Sequence, residues 1–279
     1  MHTLDIASIH KLLRDMKGFY RVAGRKELPW RKTRDPYHIL VSEIMLQQTQ
    51  VDRVIPYYKK FVDKFPDVET LAKAPLGQVL TCWSGLGYNR RAKFLHEAAK
   101  AIVKNGGVFP KDAQSIEALP GVGHYTARAI AAFAFNKPEA FVETNIRTVF
   151  IHCCIRGRRK LDALIADAEI LPLVAEALTL SRMKPRDFYS ALMDYGAHLK
   201  RKGIRLNTRS RHYTKQSKFK GSERELRGMI LRTLLEKPAT LDEIVKKVMR
   251  RQSEVVKVVA DLSSEGLIEI ENHRFRVPQ

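Results

Sequence analysis

Apolar residues recur at steps of three and four positions through most of the first two hundred residues, which is the spacing of one face of an α-helix. Three segments carry this pattern most clearly: 8–23, 39–65 and 90–106. Turns that contain proline or glycine separate the helical segments, at 65–67, 74–76, 84–88 and 119–123. No alternation typical of a strand occurs before residue 265. The pattern predicts an all-α fold for this region.

The last sixty residues have a different organisation. Two capping-box spacings predict two helix starts, and the residue pairs that form them are Ser222 with Glu225 and Thr240 with Glu243. A third helix is predicted over 253–266, and alternation on both sides of Asn272 and His273 predicts a hairpin. Three helices followed by a hairpin resemble a winged-helix domain, which can bind DNA or other proteins.

A strongly basic segment, 199–220, lies between these two regions. It contains nine lysines and arginines and no acidic residue, as a solvated connector or an arm that follows DNA phosphates would. We therefore predict a helical domain over 1–198, a basic linker or arm over 199–221, and a small winged-helix-like α+β domain over 222–279.

Charge narrows the choice of partner. Fifty Lys and Arg against thirty Asp and Glu give a formal net charge of +20, which favours a polyanion, and nucleic acid first. A basic ribosomal or membrane-surface protein would carry a similar charge. The start of the sequence lacks a signal-peptide pattern, and no apolar run reaches about 18 residues. We expect a monomeric cytoplasmic protein, associated with the nucleoid and without a membrane contact.

The three cysteines are too few for a disulfide framework. Cys153 and Cys154 are adjacent, so they lack the spacing of a zinc or iron–sulfur site, and Cys82 is distant in sequence. Buried free thiols are the prediction.

A glycine-containing turn precedes an alanine-rich helical run at 119–135. Gly121 and Gly123 leave room for backbone N–H groups that face an anion, and the following helix adds the positive end of its dipole. An ordinary helix hairpin would also use glycine here. The turn alone leaves phosphate binding and simple chain reversal both open.

Five segments in order carry a family resemblance. LPGVGHYTA, at 119–127, resembles the helix-hairpin-helix signature of the DNA glycosylase superfamily (HhH-GPD) that includes endonuclease III and the adenine glycosylase MutY. Four further segments resemble blocks of MutY: 28–58, 84–99, 141–150 and 188–198. The resemblance covers about 8–200, and it implies a two-lobed helical domain that acts on double-stranded DNA containing a mismatch or a damaged base.

The resemblance implies two carboxylates in the reaction. Hydrolysis of an N-glycosidic bond needs an acid for the departing base and an anionic group beneath the sugar. Glu43 matches the acid of MutY and lies in an apolar helix, where burial would hold its proton; a surface glutamate paired with arginine is the alternative. Glu143 stands where the family carries aspartate, so activity is preserved, altered or lost. Asn145 matches the asparagine that holds this loop.

Tyr125 stands where glycosylase-lyases carry a lysine that forms a Schiff base. A phenol cannot form that imine, so the resemblance implies a monofunctional glycosylase, with Tyr125 lining the base pocket near Glu143. Simple packing at the start of the helix is the alternative for this side chain.

An extruded base leaves a gap in the stack that a protein side chain usually fills. Gln48 and Tyr88 match the positions of this wedge in MutY, although Tyr88 could also be a loop packing residue. The other residues that we predict to contact DNA are Thr49, Leu86, Arg90, Arg91, Gly121, Val122, Gly123, His124, Thr126 and Arg147. Trp30 and Leu46 are predicted beside the base pocket, with a plain core position as the alternative for Trp30.

The sequence departs from the family in two places. Four cysteines normally hold a four-iron four-sulfur cluster after the block that 188–198 resembles, but no cysteine follows Cys154, so we predict no cofactor and no metal. The MutY domain that recognises 8-oxoguanine also has no counterpart, so the partner of the C-terminal region, DNA or protein, stays open.

The predicted function is that of a monofunctional DNA glycosylase of base excision repair. Its predicted substrate is adenine mispaired with 8-oxoguanine or guanine. Two alternatives remain: a glycosylase for thymine or uracil opposite guanine, and a lesion-binding protein without turnover.

Overall fold

The structure is a computed structural model, and it describes residues 6–155, 164–211, 213 and 218–278. The chain forms two compact units, each assembled from separate stretches of sequence. Unit 1 comprises 1–39, 110–117 and 123–215, whereas unit 2 comprises 40–109, 118–122 and 216–279. The division into three consecutive domains stays a prediction.

Helices dominate both units. In chain order they are α1 (Ile6–Ala23), α2 (Pro36–Leu46), α3 (Val51–Lys64), α4 (Val68–Lys73), α5 (Leu76–Trp83), α6 (Arg90–Lys104), α7 (Ala113–Glu117), α8 (His124–Phe135), α9 (Thr144–Phe150), α10 (Asp167–Ser181), α11 (Pro185–Arg201), α12 (Glu223–Glu236), α13 (Leu241–Val248) and α14 (Gln252–Ser264). Short 3-10 turns occur at Pro29–Arg31 and Asn207–Arg209, and a π-helical turn at Ile151–Ile155 follows α9. The all-α class predicted for the first two hundred residues is confirmed. Among the described residues, none of the helices has the length and apolar character needed to span a bilayer.

The segment 39–65, predicted as one helical stretch, is two helices. α2 ends at Leu46 and α3 begins at Val51, and between them Gln48 has a φ of 54°. A residue in the left-handed region cannot continue a right-handed helix. The prediction of a continuous segment was therefore wrong, and the break presents Gln48 at an exposed turn.

α9 and α11 pack closely in unit 1, and this contact fixes the start of α9. A Cβ atom at Gly196 of α11 would lie 2.5 Å from the backbone oxygen of Asn145, so only glycine permits this approach. Phe150 and Phe188, one from each helix, are fully buried in the same core. The backbone that carries Glu143 is thus held by a large apolar core.

A buried ion-pair network also stabilises unit 1. Asp194 is 1% exposed; it accepts hydrogen bonds from Arg31 at 2.7 and 2.9 Å and from the Arg25 side chain at 2.7 Å. Burial acts to raise the pKa of Asp194, but the hydrogen bonds and charges of Arg31 and Arg25 outweigh it and hold this pKa below its usual value.

We expect Asp194→Asn to lower the free energy of unfolding by about 3 kcal/mol, because two partly buried guanidinium groups lose their counter-charge. Because the pKa is depressed in the folded state, the stabilisation is full above about pH 4 to 5 and is lost as the pH falls through the folded value. Urea unfolding of the wild type and the variant at several pH values measures the free energy of unfolding and its dependence on pH. Asp15→Asn, which removes the solvent-exposed pair with Lys11, should change stability by less than about 1 kcal/mol. Equal effects of the two variants would contradict the prediction.

The predicted helix caps of the C-terminal region are largely confirmed. Thr240 and Glu243 form a complete capping box at the start of α13. Ser222 caps α12 by accepting from the Glu225 N–H at 3.3 Å, but the Glu225 carboxylate accepts the N–H of Gly221 at 2.7 Å. The second half of that box is therefore displaced by one residue.

The predicted hairpin is confirmed as two antiparallel strands, β1 (Glu269–Glu271) and β2 (Arg274–Arg276). Asn272 and His273 connect them with φ values of 49° and 61°, which is the two-residue turn that matches the twist of the paired strands. The resemblance to a winged-helix domain stays a prediction.

Candidate functional site

Glu43 lies in the most apolar part of α2, in unit 2. It is 6% exposed, and the next two residues, Ile44 and Met45, are 2% and 0% exposed. The predicted burial of this carboxyl group is confirmed, so Glu43 is not a surface glutamate.

Arg91 joins the end of α2 to the loop that precedes α6. Its guanidinium donates to backbone oxygens at the end of α2 and in the turn after it, namely those of Ile44 (2.8 Å), Met45 (3.0 Å) and Gln47 (2.5 Å). It also donates at 3.2 Å to the Thr49 hydroxyl and to the Gly87 backbone oxygen. Burial lowers the pKa of Arg91 to about 10, which leaves it charged at neutral pH. Arg91 therefore holds both predicted wedge turns, and its contact with phosphate stays a prediction.

Tyr88 occupies a strained turn in the same unit. Its φ is 51°, an uncommon conformation for a bulky residue and one that the surrounding structure must impose. The Arg91 guanidinium lies 5.2 Å from the centre of its ring, and the Trp83 indole N–H donates at 3.0 Å to the backbone oxygen of Gly87 beside it. The wedge candidate is thus presented in a defined position.

Gln48, Thr49 and Tyr88 line one cleft of about 750 Å³ in unit 2. α12 supplies another part of the lining, including Arg224. The Arg224 guanidinium donates to the Tyr88 hydroxyl at 2.5 Å. Sequence reasoning missed Arg224, because nothing in the local pattern indicates a contact between residues 136 positions apart.

The glycine turn at 119–123 has the conformation that its glycines require. Gly121 has a φ of 71°, and a Cβ atom there would collide with Phe94. Val122 donates its N–H to the Leu119 oxygen at 3.1 Å. Gly123 then precedes α8 as its N-cap. This geometry fits the turn of the helix-hairpin-helix signature that 119–127 resembles. Anion binding by this turn stays a prediction.

Glu143 is the N-cap residue of α9 in unit 1. One carboxylate oxygen accepts the N–H groups of Asn145 at 2.7 Å and Ile146 at 2.9 Å, and the Asn145 side-chain amide donates to the other oxygen at 3.2 Å. Asn145 therefore contacts the carboxylate directly, as its predicted loop-holding role requires. The carboxylate is oriented by the start of a helix.

Lys200 of α11 is a charged group near Glu143 that sequence reasoning assigned only to the basic arm. Burial lowers the pKa of Lys200, the charge of Glu143 acts to raise it, and the charge of Arg147 acts to lower it. Arg147 itself forms a two-point ion pair with Asp167, with both distances 2.7 Å. A predicted DNA contact by Arg147 would have to compete with this pair.

Tyr125, in the first turn of α8, packs edge-on against Phe141 with ring centres 5.5 Å apart. Phe141 stacks in turn on Tyr189 at 3.8 Å. This aromatic cluster belongs to the core of unit 1. Tyr125 therefore packs against that core, which is the alternative that the sequence left open for this side chain. Its role in a base pocket stays a prediction.

The remaining predicted contact residues differ in exposure. Leu86, Val122, Thr126 and Trp30 are buried, each with 8% exposure or less. Leu46 is half-buried. Arg90 is exposed beside the Phe94 ring, 5.0 Å from its centre, and His124 is exposed and lies 3.3 Å from Glu117. Packing thus accounts for the buried side chains, whereas Arg90 and His124 are accessible.

The residues present do not fit an iron–sulfur cluster of the four-cysteine type. The chain has three cysteines, and none occurs between Cys154 and Gln279. Cys82 and Cys154 are buried thiols, as predicted, and Cys153 is half-buried. Within the described ranges, no group of three or more His, Cys, Asp or Glu side chains could hold a metal ion.

Comparison with known proteins gives a consistent result. The family model described as "HhH-GPD superfamily base excision DNA repair protein" matches residues 41–176. An adenine DNA glycosylase from Buchnera aphidicola is 47% identical over 134 residues, which are 48% of this chain and 38% of the relative. One from Mycolicibacterium smegmatis is 40% identical over 176 residues, which are 62% of this chain and 58% of the relative. The chain thus spans only part of the length of these curated relatives.

Solved structures agree with these matches. A thermostable thymine-DNA glycosylase is 32% identical and superimposes with a TM-score of 0.59, covering 68% of this chain and 87% of that one. An endonuclease III–DNA complex is 21% identical and superimposes with a TM-score of 0.53, covering 68% of this chain and 84% of that one. This second likeness concerns the fold alone.

Proposed function

We propose, from the premise that the chain belongs to the HhH-GPD superfamily of base excision DNA repair proteins, that it is a DNA glycosylase that removes mispaired adenine from duplex DNA. The observation that carries this proposal is the burial of Glu43, 6% exposed, inside the matched range. The names of the curated relatives support adenine as the base.

The reaction that we propose breaks the bond between C1′ of the sugar and a ring nitrogen of adenine. The electron pair of that bond leaves with the base, and Glu43 supplies the proton that the base takes up. The Glu143 carboxylate, oriented by the N–H groups of Asn145 and Ile146, stabilises the positive charge that develops on the sugar. Water adds to C1′ and returns a proton to the Glu43 carboxylate.

The proposed enzyme is monofunctional. Tyr125 occupies the position at which glycosylase-lyases carry their amine nucleophile, and its phenol cannot condense with C1′ to form an imine. The product is therefore an intact strand with an abasic site. The formal charge of +20 supports binding to the DNA backbone, with an affinity that falls as salt rises.

A panel of labelled duplexes tests the proposal. Under single-turnover conditions we expect excision of adenine opposite 8-oxoguanine or guanine, with strand breaks appearing only after hot alkali. Borohydride should trap no covalent complex. Breaks before alkali, or a trapped complex, would contradict the monofunctional assignment.

The same panel tests the second candidate, a thymine or uracil mismatch glycosylase. This candidate is favoured by the likeness to the thymine-DNA glycosylase, of which the chain covers 87%. Excision of thymine or uracil opposite guanine, with adenine untouched, would replace the first proposal by the second. Retarded complexes without any abasic product would indicate a lesion-binding protein.

A further inference from the structure

The cleft lined by Gln48 and Tyr88 has a wall that comes from outside the matched range 41–176. Phe219, just before α12, and Arg224 and Arg232 of α12 lie in this wall. The cleft therefore combines the two predicted wedge residues with a C-terminal element.

Arg224 is the point at which this element engages the wedge. Its guanidinium donates to the Tyr88 hydroxyl at 2.5 Å and lies 5.1 Å from the centre of the Tyr88 ring. It also lies 6.0 Å from the centre of the Phe219 ring. The guanidinium group therefore lies within cation–π distance of two aromatic side chains.

The cleft is electropositive. Arg53, Arg224 and Arg232 line it, and Arg232 is exposed. Glu225 is the acidic residue of the lining, and its carboxylate is ion-paired with Arg250 at 3.2 Å. Three guanidinium groups thus face one ion-paired carboxylate in the lining, and a guanidinium group only donates hydrogen bonds.

We propose that this cleft receives the base left without a partner when the mispaired nucleotide is extruded, and that Arg224 of α12 recognises this base when it is guanine. This inference rests on the proposed function, because it takes Gln48 and Tyr88 as the residues that fill the gap in the stack. A cleft that adjoins both wedge residues adjoins the base opposite that gap. α12 is then the specificity element of the enzyme.

The chemistry of the lining selects the base. An arginine side chain offers two parallel N–H donors, which match the O6 and N7 acceptors that guanine presents along one edge. Adenine presents a donor at N6 and cytosine a donor at N4, and both oppose a guanidinium group. Guanine is therefore the partner that this site favours, whereas 8-oxoguanine carries a hydrogen on N7 and offers the two-donor guanidinium group only O6 of this acceptor pair.

Two substitutions at Arg224 test the proposal. Arg224→Ala and Arg224→Lys should both reduce the preference for adenine opposite guanine over adenine opposite cytosine by about tenfold or more. The lysine variant keeps the charge but loses the two-donor geometry, so a contact to phosphate alone would survive it. Single-turnover excision rates and dissociation constants on the matched duplexes measure the preference.

Arg274→Ala is the matched control, since Arg274 is an arginine of the same unit whose guanidinium pairs with Glu243 on the hairpin side of the C-terminal region. It should leave the preference unchanged. An unchanged preference in both Arg224 variants would overturn the proposal, as would an equal loss of affinity for every duplex, which would mark Arg224 as a phosphate contact.

The inference and the proposed function can fail separately. If the wild-type protein releases no base from any duplex, the proposed function fails. The opposite-base preference can still be measured as affinity for duplexes that carry a tetrahydrofuran abasic-site analogue opposite each of the four bases. Binding without any preference for guanine would then overturn the inference as well.

Discussion

Glu43→Gln is expected to lower the rate of adenine release by about 10²- to 10⁴-fold, the contribution typical of a positioned general acid. Glutamine has nearly the same shape, so the packing of α2 around this buried position should persist. The amide cannot deliver a proton of useful acidity to the departing base. Single-turnover rates on adenine opposite 8-oxoguanine measure the loss, and a gel-shift titration should give an affinity within a few-fold of wild type.

Glu97→Gln is the control for this substitution. Glu97 lies on α6 in the same unit, is partly exposed and pairs with Lys93 at 3.4 Å, so its replacement should leave the rate unchanged. A Glu43→Gln protein that is folded, binds DNA and retains the wild-type rate would remove Glu43 from the mechanism.

Much of the helical framework could be predicted from periodicity, because apolar spacing reports which face of each helix is buried. The burial of Glu43 follows in the same way from the apolar residues around it. The break at Gln48 could not be predicted in this way, since α2 and α3 each continue a helical pattern and only the backbone shows the left-handed residue between them. That break is what presents the wedge candidate.

Contacts between segments that are distant along the chain could not be predicted from the sequence pattern. The sequence predicts Arg91 as a DNA contact, and in the structure its guanidinium group also joins the end of α2 to the Tyr88 turn. Arg224 lies in a predicted helix far along the chain and reaches the same tyrosine. Such contacts depend on how helices pack, and a local pattern carries no information about that packing. The interleaving of both compact units along the chain has the same origin.

Glu143 raises a different question, because its carboxylate caps α9 and is also assigned to the chemistry. A cap of this kind contributes about 1 kcal/mol to stability, whereas an anion that stabilises a developing cation contributes a large rate factor. Substitutions that keep the cap but change the charge separate the two roles.

Glu143→Gln is expected to lower the rate of base release by about 10²- to 10³-fold while reducing the free energy of unfolding by no more than about 1 kcal/mol. The amide oxygen can still accept the N–H groups of Asn145 and Ile146, so the start of α9 should survive. The lost negative charge leaves the cationic sugar without its counter-ion. Single-turnover kinetics and urea unfolding of the same preparations measure the two effects.

Glu169→Gln provides the matched control, since the Glu169 carboxylate accepts the Ala166 N–H at 3.1 Å at the start of α10 and has no assigned role in catalysis.

Glu143→Asp keeps the negative charge but withdraws it by about one C–C bond. We expect a smaller loss of rate than for Glu143→Gln, about tenfold, because a displacement near 1 Å can cost up to about 10²-fold. A faster Glu143→Asp enzyme would mean that the longer side chain restrains the reaction. Equal rates of base release for Glu143→Gln and wild type would mean that Glu143 only caps α9 and takes no part in the reaction.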